Sequence, residues 1–306
     1  MGIQTPFHEG ELAVQARAGE TAIAARNGRI IQDSLPPSAF GFIGQQRLVV
    51  LSTVDRHDRP WVSLVSGHPG FLQATDESTM ILDFDQAWLH AGDPLWTNLQ
   101  HGHRFGMLLI EFSTRRRFRV NGTAQLGQSE IRLRVREAFG NCPKYIQRRE
   151  ATGDLEIPGS IGETRTGEEL HPEQQELIRA ADTLFVGSLS PVGNADASHR
   201  GGQPGFVQVL DSRTLRIPDY PGNGMFQTFG NLELHPGAGI LFPSFAGEPQ
   251  LQLIGEAGVR WDLGDPTGLT GGTQRFWDFH VEGVVETPIP SGEGWEFLDY
   301  SPFNPR

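Results

Sequence analysis

The chain has 306 residues, 37 of them acidic and 25 Lys or Arg, for a net charge of −12 with only 20% charged residues. That length suits two domains with a core each, and 38 Gly with 21 Pro favour tight turns and β-rich architecture over a helical bundle. The acidic balance excludes nucleic acid as the expected partner, because such binding demands a basic surface. A small phosphorylated ligand stays open, since one Arg and a few backbone N–H groups hold it. No apolar run approaches the roughly 18 residues that span a bilayer, so no membrane role is expected. The N-terminus shows no signal-peptide pattern, and the single Cys142 excludes an internal disulfide, which together point to a cytoplasmic protein.

Residues 8–18 read as a short helix with acidic residues early, where the helix dipole favours them. Pro36-Pro37 closes this helical lead, residues 1–41. A first barrel-like unit, 42–126, begins with the β-branched run Arg47–Thr53 and the alternating Trp61–Ser66. Gly70–Ala74 and Thr79–Phe84 flank a hairpin at Asp76-Glu77-Ser78. Pro94–His101 fits a crossing helix, and Phe105–Phe112 and Phe118–Leu126 supply strands on either side of the polar turn Ser113–Arg117. Residues 127–181 read as a helical linker: a helix over 129–150 interrupted at Gly140 to Pro143, a surface stretch over 151–168, and a helix over His171–Ala181 with Pro172 in its first turn. The second unit, 182–306, offers strands at Thr183–Ser188, Gly205–Leu210, Thr214–Pro218, Gly239–Phe245 and Gln250–Val259. Gln274–Thr287 closes it, and the Pro- and Gly-rich last twenty residues drape over the surface.

The two units are one sequence written twice. Pro69-Gly70-Phe71-Leu72-Gln73 returns as Pro204-Gly205-Phe206-Val207-Gln208, and Asp76, Thr79 and Leu82 fall on Asp211, Thr214 and Ile217, all displaced by 135 residues. Asn98-Leu99 matches Asn231-Leu232, and Val120, Gly122 and Ala124 match Leu253, Gly255 and Ala257, displaced by 133. A repeat of about eighty residues is too long for a solenoid unit. The fold expected is mainly β with short helices: two tandem small barrels, whose closure removes exposed strand edges. Two equivalent domains create a pseudo-two-fold interface, a natural seat for a shared ligand.

The densest polar stretch is Asp196–Gly205, DASHRGGQPG, followed after one strand by Pro218–Leu232, PDYPGNGMFQTFGNL. Arg200 offers a forked donor for phosphate and Ser198 a hydroxyl, beside His199 and two glycines that let backbone approach a ligand. Asn223-Gly224 gives a turn, and Gln227, Thr228 and Asn231 recur at one-turn spacing on a short helix. Taken alone, these stretches are equally compatible with a hairpin loop followed by a turn and a helix cap.

The run PGFVQVLDSRTLRIPDYPGNGMFQTFGNLELHPGAGILF, followed by EPQLQLIGEA, resembles the pyridoxamine 5′-phosphate oxidase-like superfamily of FMN-binding split barrels, in particular its flavin-nucleotide-binding branch. The resemblance is good over 182–261 and weaker over 42–126. It implies two tandem split barrels that bind FMN, or a deazaflavin as a variant, where two barrels meet. Gln250 falls where the family has a flavin-contacting Gln, and Asn223, Gln227 and Thr228 fall in the segment that grips the phosphate. The family's adjacent Arg-Lys phosphate clamp is absent, with Gln227-Thr228 in its place, and Arg200 is the candidate substitute. The C-terminal substrate-recognising Arg motif is not evident either; the late basic residues are Arg275 and Arg306.

The first unit lacks the RGG loop and carries Trp88, His90 and Trp96 instead, which implies an aromatic wall or a degenerate site. His90, His101 and His103 have no completing Cys or carboxylate at ligand spacing. Arg115-Arg116-Arg117 with Arg119 reads as a solvated hairpin tip, and Cys142 as structural. The resemblance implies a flavin-dependent oxidoreductase acting with a small-molecule substrate or reductant. Its rivals are a non-catalytic module that binds, stores or senses flavin, and a haem-binding barrel with His199 or a His in 90–103 as axial ligand. For assembly, a homodimer with two flavin sites is favoured over an intrachain pseudo-dimer.

Overall fold

Two helices lead the chain in the computed structural model, which describes residues 5–153, 162–289 and 294–305. They are α1 (Glu9–Ala18) and α2 (Thr21–Asn27); α1 starts with a capping box in which His8 and Glu11 satisfy each other's backbone N–H groups. A short α3 (Phe40–Gly44) then delivers the chain to the first barrel. Its strands are β1 (Leu48–Val54), β2 (Pro60–Gly67), β3 (Leu72–Asp76), β4 (Thr79–Asp83), β5 (Ala87–Trp88), β6 (Arg104–Glu111), β7 (Arg116–Leu126) and β8 (Glu130–Gly140). Helix α4 (Pro94–His101) crosses between β5 and β6, with Pro at its first position and the Asp93 carboxylate capping Leu95 N–H at 2.8 Å.

The connector holds β9 (Arg148–Thr152), β10 (Arg165–Gly167) and α5 (Pro172–Ala180). The second barrel follows: β11 (Thr183–Leu189), β12 (Ala195–Gly201), β13 (Gln208–Val209), β14 (Thr214–Pro218), α6 (Gln227–Leu234), β15 (Gly237–Phe242), β16 (Gln250–Arg260) and β17 (Phe276–Thr287), with β18 (Gly294–Asp299) after it. The strand order β2-β1-β6-β7-β8-β4-β3 in one sheet reappears as β12-β11-β15-β16-β17-β14-β13 in the other. Even the bulges coincide, between Asn121 and Gly122 on β7 and between Ile254 and Gly255 on β16. The protein is two tandem split barrels, mainly β with short helices.

Two expectations from sequence are corrected. Residues 129–150 are not helical: β8 runs through them, pairs with both β4 and β7, and extends the first barrel to Gly140. Ile131, Leu133 and Val135 are buried while Arg132, Arg134 and Arg136 point outward, a period of two that the helix-forming Arg and Glu residues disguise. The C-terminal tail does more than drape, because β18 pairs with β9, Trp295 opposite Ala151. Residues 154–161 of the expected surface stretch, and Arg306, lie outside the described residues.

Strands β1 and β11 are buried on both faces, because each looks inward to its own barrel and outward to the other. Val49 and Leu51 fill the first core; Val50, Val62 and Leu108 meet Phe185, Ala197 and Leu241 in a shared apolar layer. These are the same positions of the repeat, so the layer is two-fold in character. Gly187, the counterpart of Ser52, faces it so closely that a Cβ there would lie 2.6 Å from Ser52 Oγ. The chain therefore builds within itself an interface between equivalent barrels.

A candidate ligand site between the barrels

The shared layer brings β7 of the first barrel alongside β12 and the start of α6 in the second. Between them lies a cavity of about 120 Å³. Arg117 and Arg119 line it from β7, Asn141, Cys142, Lys144 and Tyr145 from the loop after β8, His199 and Arg200 from β12, and Asn223, Gln227 and Thr228 from α6 and the turn before it. That volume is below the ~300–1,000 Å³ of a pocket enclosing a whole cofactor, so it suits the charged end of a ligand.

The electrostatics select an anion. Arg119 donates to Asp196 Oδ2 at 3.1 Å and to Gln227 Oε1 at 2.7 Å. Arg117 donates through Nε to Cys142 O at 2.6 Å, and Arg200 to His199 O at 3.2 Å; neither guanidinium has a carboxylate partner among the described residues. Burial, then neighbouring Arg119 and Arg200, push the Arg117 pKa down to about 9. Burial also lowers Arg200, against the opposing effect of the Asp219 carboxylate in the cavity lining, with Arg119 adding to the lowering. The guanidinium groups repel one another, an arrangement an anion relieves. Nε of Arg119 and Nε of Arg200 are buried without a partner. His199 is 3% exposed with both ring nitrogens unpartnered, and burial followed by Arg117, Arg200 and Arg149 holds its pKa well below the usual value. It is a neutral imidazole.

Helix α6 opens onto this cavity with no side chain capping it. Its N-cap position is Phe226, in the left-handed region at φ 55, an unusual conformation for a bulky residue. The lead helices hold it there: Gln15 Nε2 donates to Met225 O at 2.9 Å and Asn27 Nδ2 to Asn223 O at 2.7 Å, while Arg275 stacks over the Phe226 ring at 5.1 Å. Helix α1 rests on α6 at a glycine crossing, where a Cβ on Gly10 would come 2.2 Å from Gly230 O.

Of the residues singled out in the sequence, His199, Arg200, Asn223, Gln227 and Thr228 converge on the cavity. Ser198 stands behind them, bonded to Thr228 Oγ1 at 3.0 Å. Asn231 joins Ser188 Oγ at 2.9 Å and accepts from His8 Nε2 at 2.9 Å, tying α6 to β11 and to α1. Gln250 is elsewhere, buried on β16 away from the cavity lining. Its counterpart at a displacement of 133 is Arg117, and that of Gln252 is Arg119. The barrel opposite supplies the strand residues of this cavity.

Several other expectations change. The Arg115–Arg117 run is not a free tip: Arg115 pairs with Asp299 and donates to Ile146 O, and Arg117 lines the cavity. Cys142 lines it too. Trp88 is buried and Trp96 packs edge-on to Phe84 at 5.0 Å, and neither reaches the cavity. No cluster of three or more His, Cys, Asp or Glu suited to a metal occurs among the described residues.

Beneath the cavity, Glu11 of α1 is buried near Asp196 and Glu137, and burial first, with those two charges adding, raises its pKa to about 8. A carboxyl raised on folding binds more protons in the folded chain than in the unfolded one. Its contribution is therefore fully present below its ordinary value near 4.5 and is lost as pH rises through about 8. Glu11→Gln, which keeps an acceptor for His8 N–H, is expected to raise stability at pH 8 by about 2 kcal/mol while changing little at pH 4. Urea unfolding at the two pH values checks this; an equal effect at both would place the titration elsewhere.

Residues 35–153 match the family model described as pyridoxamine 5′-phosphate oxidase. The match falls on the first barrel, the copy whose resemblance was the weaker in sequence. Among solved structures the chain is similar to a protein related to general stress protein 26, of the pyridoxinephosphate oxidase family, from Clostridium acetobutylicum: 13% identity, 42% of this chain, 92% of that one, TM-score 0.29. HutZ, the heme storage protein from Vibrio cholerae, has 16% identity over 42% of this chain and 96% of its own, TM-score 0.26. Holo-PhuS, a heme-binding protein from Pseudomonas aeruginosa, has 11% identity over 94% of both chains, TM-score 0.21. Scores this low carry no inference about ligand. No curated protein matches the chain. Residues 35–153, which span the whole first barrel, match the pyridoxamine 5′-phosphate oxidase family model.

Proposed function

We propose that the inter-barrel cavity holds the phosphate end of FMN, and that the protein is a flavin-dependent oxidoreductase working with a small-molecule substrate or reductant. The observation that carries this is the convergence of Arg117, Arg119 and Arg200 on one cavity at the uncapped start of α6, in a chain of net charge −12. The family match over the first barrel supports a flavin over other phosphorylated ligands. In this reading the three arginines neutralise the phosphate, and Thr228 and the first-turn N–H groups of α6 orient it. Neutral His199 adds no further positive charge to the crowded arginines. Bound flavin supplies hydride or electron transfer; the chain supplies binding, orientation and electrostatics.

The absorption spectrum of freshly purified protein tests this, with mass spectrometry of whatever heat releases. Flavin bands with an FMN mass support the reading, and a deazaflavin mass selects that variant. Flavin bands without reduction by NADH or NADPH favour storage or sensing. A colourless protein that takes up no added FMN overturns it. Haem is a second reading with one observation behind it: His199 is a buried, neutral, unpartnered imidazole facing the cavity. A Soret band lost in His199→Ala would put it first.

A further inference from the structure

The repeat places the same donor set at two positions, and the two differ in what occupies them. At the cavity, the backbone of Thr228 and the Arg119 guanidinium flank the uncapped start of α6, with Ser198 Oγ behind them and bonded to Thr228 Oγ1. At displacements of 135, 133 and 133 these residues correspond to Ser63, Leu95 and Gln252. Those three are the groups that bind the Asp93 carboxylate: Ser63 Oγ donates at 2.5 Å, Leu95 N–H at 2.8 Å and Gln252 Nε2 at 3.1 Å. Gln252 reaches Asp93 from the second barrel, as Arg119 reaches the cavity from the first. Asp93 itself corresponds to Phe226, whose backbone turns left-handed. Further correspondences hold the frame equal: Asn98 donates to Thr53 Oγ1 as Asn231 donates to Ser188 Oγ.

The surrounding charges differ in step. Arg117, Arg119 and Arg200 of the cavity are replaced by Gln250, Gln252 and Val65. A single internal carboxylate in place of a phosphate needs less positive charge around it, and three hydrogen bonds suffice to hold it. Asp93 is 2% exposed, and burial pushes its pKa up to about 6 against the effect of its three donors.

We infer that the start of α4 is a second anion site of the same architecture, filled by the chain's own Asp93 carboxylate, and that once vacated it takes a small monocarboxylate. Each chain then binds one ligand of the first site, not two. The stoichiometry rests on the proposed function; the occupancy of the second site by Asp93 does not.

Chemical rescue in the full-length protein separates the two. Asp93→Ala is expected to lower Tm, and formate or acetate at millimolar concentration to raise it by several degrees, with chloride at equal ionic strength inactive. Wild type and Asp93→Asn, whose sites remain filled, are expected to show no such rise. Equal responses to formate and chloride, or an equal rise in wild type, would overturn the inference. Should Asp93→Ala not fold, Asp93→Gly expressed and refolded with and without formate gives the same comparison through the yield of folded protein. An FMN titration of the wild type is expected to saturate at one per chain, and saturation at two would overturn the inference. A wild type that binds no FMN while Asp93→Ala is still rescued by formate would sink the proposed function and leave the second site standing.

Discussion

Arg119→Ala is expected to destabilise the fold by about 3–5 kcal/mol and to weaken phosphate-bearing ligands by about 100-fold. The guanidinium and Asp196 are both buried, at 8% and 6% side-chain exposure, and sit 3.1 Å apart. Removing the cation leaves Asp196 with one neutral donor, Asn121 Nδ2 at 3.1 Å, and with Glu11 and Glu137 as nearby acids. A buried carboxylate stripped of its counter-charge is among the costliest single changes available. The loss is expected to shrink as pH falls and these acids take up protons, and Asp196→Asn in the same background should recover much of it. Urea unfolding and a phosphate titration read the two effects separately; a stability loss under 1 kcal/mol would show that Asp196 is solvated after all.

Gly239→Val has the second large effect, and it acts on the joint between the barrels. A Cβ on Gly239 would lie 2.2 Å from Pro60 O, and one on Gly106, its counterpart, 2.5 Å from Asp196 Cα. Both obstacles are backbone, so no rotamer change gives relief and the barrels must move apart. Separation exposes the layer of Val50, Val62, Leu108, Phe185 and Leu241. A loss of about 3 kcal/mol is expected, with a larger radius of gyration in solution scattering and weaker ligand binding, because each barrel supplies half the cavity. Gly258→Ala on β16, where a Cβ meets nothing within 4 Å, is the control and should be neutral within about 0.5 kcal/mol. A variant at Gly239 as stable as that control would mean the two barrels are not in register as described.

Local chemistry made much of the fold legible. The stretch Pro94–His101 announces α4, and Asp76-Glu77-Ser78 the hairpin of β3 and β4. The repeat displacements align equivalent strands, glycines and Asn-Ser or Asn-Thr bonds across the two barrels. What stayed hidden depends on contacts the sequence does not order. Strand β8 hid behind helix-favouring Arg and Glu residues on its outer face, and was settled by pairing with β4 and β7. Half the cavity hid because Arg117 and Arg119 look like a hairpin tip until the second barrel is set against them. Arg200 and Thr228 stand out in sequence because they lie in two polar stretches one strand apart; Arg117 and Arg119 lie some eighty to over a hundred residues away in the other copy.

The most direct measurement compares FMN with riboflavin, which differs by the phosphate alone, in titrations followed by quenching of flavin fluorescence. The arginine cluster predicts FMN at least about 100-fold tighter than riboflavin, with the difference mostly lost in Arg117→Ala and Arg200→Ala. Equal affinities for the two, or a preference that survives both substitutions, would contradict a phosphate seat between the barrels.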